Sequence, residues 1–171
     1  MRRGVTAYVA ALMTEPHAED VAWLASAASL GDADRARWEL RYARRALGLL
    51  VAQRDALDDR TASLVARDLA HALHADRNIA ASMVKLAERQ FNDRLASYRD
   101  VITSRAPAEA MASRLGRTLL QIAGARSAPD TAVAAAGELL SRYLAEANDA
   151  LRKAFGTASL PEDLPPSALG R

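Results

Sequence analysis

Apolar residues recur along most of this chain at the spacing of one face of an α-helix. The pattern is clearest over residues 130–156, where a single stripe contains Val133, Leu140, Tyr143 and Leu151. No segment shows the alternation of apolar and polar residues that is typical of a half-buried strand. The pattern therefore predicts an all-α protein.

Proline, glycine and capping residues divide this pattern into separate helices. Residues 32–106 contain no proline and only one glycine, Gly48, so nothing in that run interrupts a helix. Within it, Asp58 is a candidate cap for a helix over 60–74, and Asp76 is a candidate cap for the helix that follows. Glycines predict three further helix ends, at Gly31, Gly124 and Gly156.

These limits predict an antiparallel helical bundle of about five to six helices. At 171 residues the chain is long enough to bury one core. We expect residues 1–156 to form a single helical-bundle domain. Residues 157–171 contain three prolines and predict an extended Pro-rich C-terminal tail.

Composition restricts the classes of function. There is no cysteine, which excludes disulfides and thiolate metal sites. A formal net charge of +2 is too small to indicate a strongly basic protein. Residues 5–13 are too short an apolar segment for a signal peptide and predict an amphipathic helix instead. We therefore expect a cytoplasmic protein with no membrane partner.

Four polar residues fall on otherwise apolar helix faces: Glu39, and the series Gln90, Arg94 and Ser97. A buried charge is costly unless it is paired, so we predict that Arg94 contacts a carboxylate, with Glu39 the best candidate. An internal ion pair is the simplest interpretation. One alternative is a polar pocket that binds a small anion or serves as an enzymatic site. The other is a homodimer interface at which these polar positions set the register.

A second cluster consists of Arg37, Arg41, Arg44 and Arg45, which form a basic stripe that we place on the outer side of its helix. Such a stripe is a candidate phosphate-binding surface and the best argument in the sequence for nucleic-acid binding. Nearby aspartates and the lack of interleaved aromatic residues favour an ordinary solvated face.

The histidine pair His71 and His74 raises the question of a metal site. Val65, Leu69 and Leu73 define the buried side of the same predicted helix, and the two histidines fall on the opposite side. A solvated polar face near a helix C-terminus accounts for them. We therefore expect neither a metal nor any other cofactor.

No nucleotide-binding, nucleophile-elbow or zinc-protease motif is present in the sequence. The sequence favours a non-enzymatic bundle that acts through protein–protein interaction or self-assembly, with another copy or another protein as its partner. The alternatives are nucleic-acid or phosphate binding through the arginine stripe, and a small-anion-binding or enzymatic bundle that uses Glu39, Gln90 and Arg94.

Overall fold

The structure is a computed structural model, and it describes residues 1–56 and 58–156. All regular structure in these residues is helical, which confirms the all-α prediction. The described residues form seven α-helices rather than five to six. The predicted tail, 157–171, lies outside the described residues. The helices are α1 (Arg2–Leu12), α2 (Ala18–Ala28), α3 (Ala33–Asp55), α4 (Asp59–His74), α5 (Val84–Ile102), α6 (Ala108–Ala123) and α7 (Asp130–Phe155), and a 3₁₀ turn (Ala81–Met83) precedes α5.

Some helix ends lie where capping chemistry predicts them. Asp32 Oδ1 accepts a hydrogen bond from the Arg35 N–H at 3.0 Å and caps α3. Asp58 Oδ1 accepts from the Thr61 N–H at 2.6 Å and caps α4. Gly124, with a φ of 123°, ends α6 in a conformation that other residues rarely adopt.

The prediction that Asp76 caps a helix is wrong. Its Oδ1 accepts from the backbone N–H of Asn78 at 2.9 Å and from the Asn78 side chain at 3.0 Å, which makes a turn. The helix that follows begins only at Val84. The other oxygen of Asp76 accepts from Arg45 of α3, so this carboxylate holds the connection between α4 and α5 against the centre of the bundle.

Helix α3 is the centre of the molecule, and every residue over 39–52 is buried. It contacts helices on several sides, including α2, α5 and α7. The Tyr8 hydroxyl of α1 donates to the Gly48 carbonyl at 2.6 Å, so α1 packs on it as well. A helix surrounded in this way has no outer face in its middle turns.

Several neighbouring helices run antiparallel. On α3 and α5, Glu39 pairs with Arg94 and Tyr42 with Gln90, so positions that ascend on one helix descend on the other. Helices α6 and α7 also run in opposite directions and approach closely at two glycines, Gly116 and Gly137. Among the described residues, no helix combines the length and apolar character needed to cross a membrane.

Candidate functional site

Glu39 and Arg94 form the ion pair that the sequence predicts. Arg94 Nη2 donates to Glu39 Oε1 at 2.7 Å and Arg94 Nε donates to Glu39 Oε2 at 3.1 Å, a two-point contact between α5 and α3. The Glu39 side chain is 6% exposed and that of Arg94 is 20% exposed. These hydrogen bonds to Glu39 outweigh partial burial and raise the pKa of Arg94. The predicted pairing is confirmed.

Gln90 is linked to this pair only through Tyr42, and Ser97 hydrogen-bonds to its own helix instead. The Tyr42 hydroxyl donates to Gln90 Oε1 at 2.8 Å, and the Arg94 guanidinium lies 5.7 Å from the centre of the Tyr42 ring. Ser97 Oγ donates to the carbonyl of Asp93 on its own helix, at 3.1 Å. Since the guanidinium fork is taken by Glu39, anion binding at this cluster stays a prediction without geometric support.

The placement of the arginine stripe on an outer helix face is wrong for three of its four members. Arg41, Arg44 and Arg45 are buried. Arg37 alone is substantially exposed, and its Nη1 lies 3.5 Å from Asp34 Oδ1. Other helices enclose α3, so the side of the helix that carries the stripe faces protein rather than solvent.

Arg41 and Arg44 each bind a carboxylate from a distant segment of the chain. Arg41 Nε donates to Glu15 Oε2 at 2.8 Å, and Arg44 Nη1 donates to Glu146 Oε2 of α7 at 2.7 Å. The Arg44 guanidinium also lies 4.2 Å from the centre of the Tyr143 ring. Burial raises the pKa of Tyr143 to about 12 against the lowering effect of Arg44, so its hydroxyl stays protonated. Phosphate binding by the stripe remains a prediction, and these internal partners weigh against it.

Arg45 and Asp76 form the most deeply buried ion pair among the described residues. Arg45 Nη2 donates to Asp76 Oδ2 at 3.0 Å, and the side chains are 2% and 4% exposed. Burial lowers the pKa of Arg45, against the raising effect of Asp76. Burial acts to raise the pKa of Asp76, but the Asn78 N–H and the charge of Arg45 outweigh it and leave that pKa lowered. This pair fixes the connection that leads into α5.

The same connection closes one end of an apolar pocket of about 150 Å³ between α4 and α5. Buried side chains form its floor: Tyr42 and Leu49 of α3, Leu69 of α4 and Phe91 of α5. Ile79, from the connection held by Arg45 and Asp76, also lines it. An apolar cavity of this size takes a group comparable to benzene.

The mouth of the pocket is polar. His74 Nε2 of α4 lies 3.7 Å from Glu88 Oε2 of α5, with both side chains exposed, and Asn92 lies on the same rim. His71 is exposed as well, so both histidines occupy the solvated side that the sequence predicts. The pocket thus combines an apolar centre with a polar edge.

The sequence does not predict this pocket, although the pattern over 60–74 places Leu69 and Leu73 on the buried side of their helix. Next to the pocket, Ile79, Val84 and Leu95 are only partly buried and Met83 is 47% exposed. Helices α4 and α5 make few contacts with each other, so their apolar faces leave a space between them. A sequence pattern shows that a face is apolar but not whether a neighbour fills it.

No family model, no curated protein and no solved structure matches this chain.

Proposed function

We propose that this protein is a non-enzymatic helical bundle that acts through protein–protein interaction, and that the pocket between α4 and α5 receives one apolar side chain of its partner. The observation that supports this proposal is the pocket itself, about 150 Å³ in volume and lined mainly by leucine, alanine and aromatic side chains. A pocket of that kind at a protein surface suits an anchor residue, the type of contact that dominates binding energy at many interfaces.

The size of the pocket favours a side chain over a metabolite or cofactor. Sites for drug-sized ligands are typically about 300 Å³ or larger. The volume here, about 150 Å³, holds one leucine or aromatic ring. Burying one such side chain contributes about 1.5–3 kcal/mol. That energy is appropriate for one anchor within a larger interface.

The rim of the pocket also suits a protein partner. Ala66 and Ala70 line the α4 side and Ala87 lines the α5 side, and these short side chains allow another backbone to approach closely. His74 and Glu88 supply polar groups at the edge. An apolar centre surrounded by polar groups is the usual composition of an interface core and its rim.

Two alternatives rank below this proposal. Nucleic-acid binding through the arginine stripe needs guanidinium groups that are free to contact phosphate, but Arg41, Arg44 and Arg45 each bind a carboxylate. Small-anion binding or catalysis at Glu39, Gln90 and Arg94 needs the Arg94 fork, which is hydrogen-bonded to Glu39. In both cases a ligand would have to displace an internal partner.

Selection of displayed peptides on the immobilised protein tests the proposal. We expect enriched peptides to share one large apolar residue, and we expect Ala70→Leu to weaken their binding. Ala70 lines the pocket and is exposed, and a helical leucine at this position leans over the preceding turn, which here means over Ala66 and the cavity.

The matched control is Ala10→Leu, the same substitution at an exposed helical alanine of α1. It should leave peptide binding unchanged. Far-UV circular dichroism and the thermal midpoint establish that both variants fold. The proposal is contradicted if peptides bind both variants equally, or if none of those enriched depends on an apolar anchor.

A further inference from the structure

Leu30 is the most exposed large apolar residue in the part of the chain that the structure describes. Its relative exposure is 103%, and its φ of 53° places it in the left-handed region. Leucine is disfavoured there because its Cβ crowds the backbone. A strained residue that also presents its whole side chain to solvent calls for a functional explanation.

The turn that carries Leu30 is firmly anchored. The buried Ser29 hydroxyl donates to the Ala123 carbonyl of α6 at 2.8 Å. The Gly31 N–H donates to the Ala25 carbonyl at 2.8 Å, and Asp32 caps α3. Leu30 therefore lies on a turn whose backbone is already held by hydrogen bonds. Little backbone conformational entropy is lost when its side chain binds.

We propose that Leu30 of one molecule inserts into the α4–α5 pocket of a second copy of this chain. This inference rests on the proposed function, because it names the partner and the anchor residue for the same pocket. A leucine side chain fits a cavity of about 150 Å³ with an apolar floor, and the pocket offers it Leu49, Leu69 and Phe91 as neighbours.

A molecule cannot fill its own pocket with Leu30. The pocket residue nearest to it along α3 is Tyr42, ten positions after the cap Asp32, which corresponds to about 15 Å of helix. Leu30 and the pocket are thus two different patches. Their contact either closes reciprocally, with each Leu30 in the pocket of the other molecule, or runs head-to-tail into rings or open chains.

Both patches carry exposed charges of both signs that can pair across the contact. Asp32 and Asp34 follow Leu30, with Arg35 and Arg37 on the same turns of α3, and Arg37 Nη1 lies 3.5 Å from Asp34. At the pocket, Arg77 and Lys85 are exposed next to the lining residues Ile79 and Val84, and Glu88 lies on the rim. Opposite charges at the edges of an interface favour encounter and the correct register.

Sedimentation velocity over a concentration series tests this inference with two variants. Leu30→Asn removes the apolar side chain while retaining a residue that tolerates the left-handed conformation, so the fold should keep its thermal midpoint. Ala70→Leu fills the pocket. We expect wild type to associate as its concentration rises. Each variant alone should associate at least about tenfold more weakly. Leu30→Met, which keeps a flexible apolar side chain, should behave like wild type.

An equimolar mixture of Leu30→Asn and Ala70→Leu gives the decisive result. The first variant retains an intact pocket and the second retains an intact Leu30, so the mixture should form a one-to-one complex and nothing larger. Wild type that stays monomeric, Leu30→Asn that associates normally, or a mixture without the complex would overturn the inference. If peptides with an apolar anchor still bind the pocket in that case, the proposed function stands, and it fails separately if they do not.

Discussion

At the scale of single residues, the ion pair between Glu39 and Arg94 is expected to stabilise the fold rather than to bind a ligand. Arg94→Met should destabilise the protein by about 3 kcal/mol, because Glu39 is then left buried without its partner. The double variant Glu39→Leu with Arg94→Met should recover most of that loss. Urea denaturation measures both effects.

The control for this prediction is the exposed pair Arg54 and Asp55. Arg54→Met should change the free energy of unfolding by no more than about 0.5 kcal/mol, since solvent-exposed ion pairs contribute little. The opposite result would be that phosphate or citrate raises the thermal midpoint of wild type, whereas Arg94→Met keeps its stability but loses this response. That result would show that Arg94 binds an anion.

The Asp76 carboxyl should make stability depend on pH. Its pKa in the folded protein is lowered below 3.8, its usual value. Stability that is present above the unfolded-state pKa is therefore lost as the pH falls through the folded-state pKa. We expect the urea midpoint of wild type to fall between about pH 5 and pH 2, with a smaller fall for Asp76→Asn.

Asp76→Asn should also be less stable than wild type at neutral pH, because Arg45 loses its charged partner in a buried site. Asp100→Asn, at an exposed position of α5, should retain the wild-type pH profile. Parallel pH profiles for wild type and Asp76→Asn would show that this ion pair is not the source of the acid sensitivity.

The two internal ion pairs also show how far side-chain partners can be predicted from sequence. Glu39 and Arg94 each interrupt an apolar helix face, so each needs a partner of the opposite charge. Few other charged residues fall on such a face, so the number of candidate partners was small. Arg45 gave no such signal, because it belongs to a run of arginines that resembles a solvated face. Its partner Asp76 resembles a helix cap, and only the packing of the connection against α3 brings the two together.

At the scale of helices, the pair α6 and α7 depends on close backbone approach. A Cβ atom at Gly137 would lie 2.6 Å from the carbonyl oxygen of Ala112, and one at Gly116 would collide with the Val133 carbonyl. Gly137→Ala should therefore destabilise the protein by about 1–3 kcal/mol, although alanine is the better helix former.

Ser141→Ala, at an exposed position of the same helix α7, isolates the effect of helix propensity and should be neutral or slightly stabilising. Both variants are compared by urea denaturation. A Gly137→Ala variant as stable as Ser141→Ala would show that the two helices have room to separate, contrary to the close packing described above.

The ends of the helices were easier to predict from the sequence than the neighbours that pack around each helix. Asp32, Asp58 and Gly124 act through hydrogen bonds and backbone angles within a few residues, so a sequence pattern contains most of the relevant information. Which helix lies in the middle depends on the packing of all of them together. The enclosure of α3 is a property of this kind, and it turned an expected surface stripe into buried ion pairs.

At the scale of the whole molecule, the sequence predicted the fold class but not the feature that suggests a function. The pocket exists because α4 and α5 both pack on α3 while making little contact with each other. Leu30 stands out only once its exposure and backbone angle are seen. Both features depend on whether a neighbouring helix or loop covers an apolar group. The local sequence does not encode that.

The central claim is that the α4–α5 pocket receives Leu30 of a second copy, and a concentration series of ¹H–¹⁵N spectra tests it most directly. Rising concentration should shift the amide signals of the pocket residues Leu73 and Ala87 together with those of Leu30 and Gly31, and leave other surfaces unchanged. Shifts confined to a different face, or spectra that do not change with concentration, would contradict binding of this pocket to a second copy.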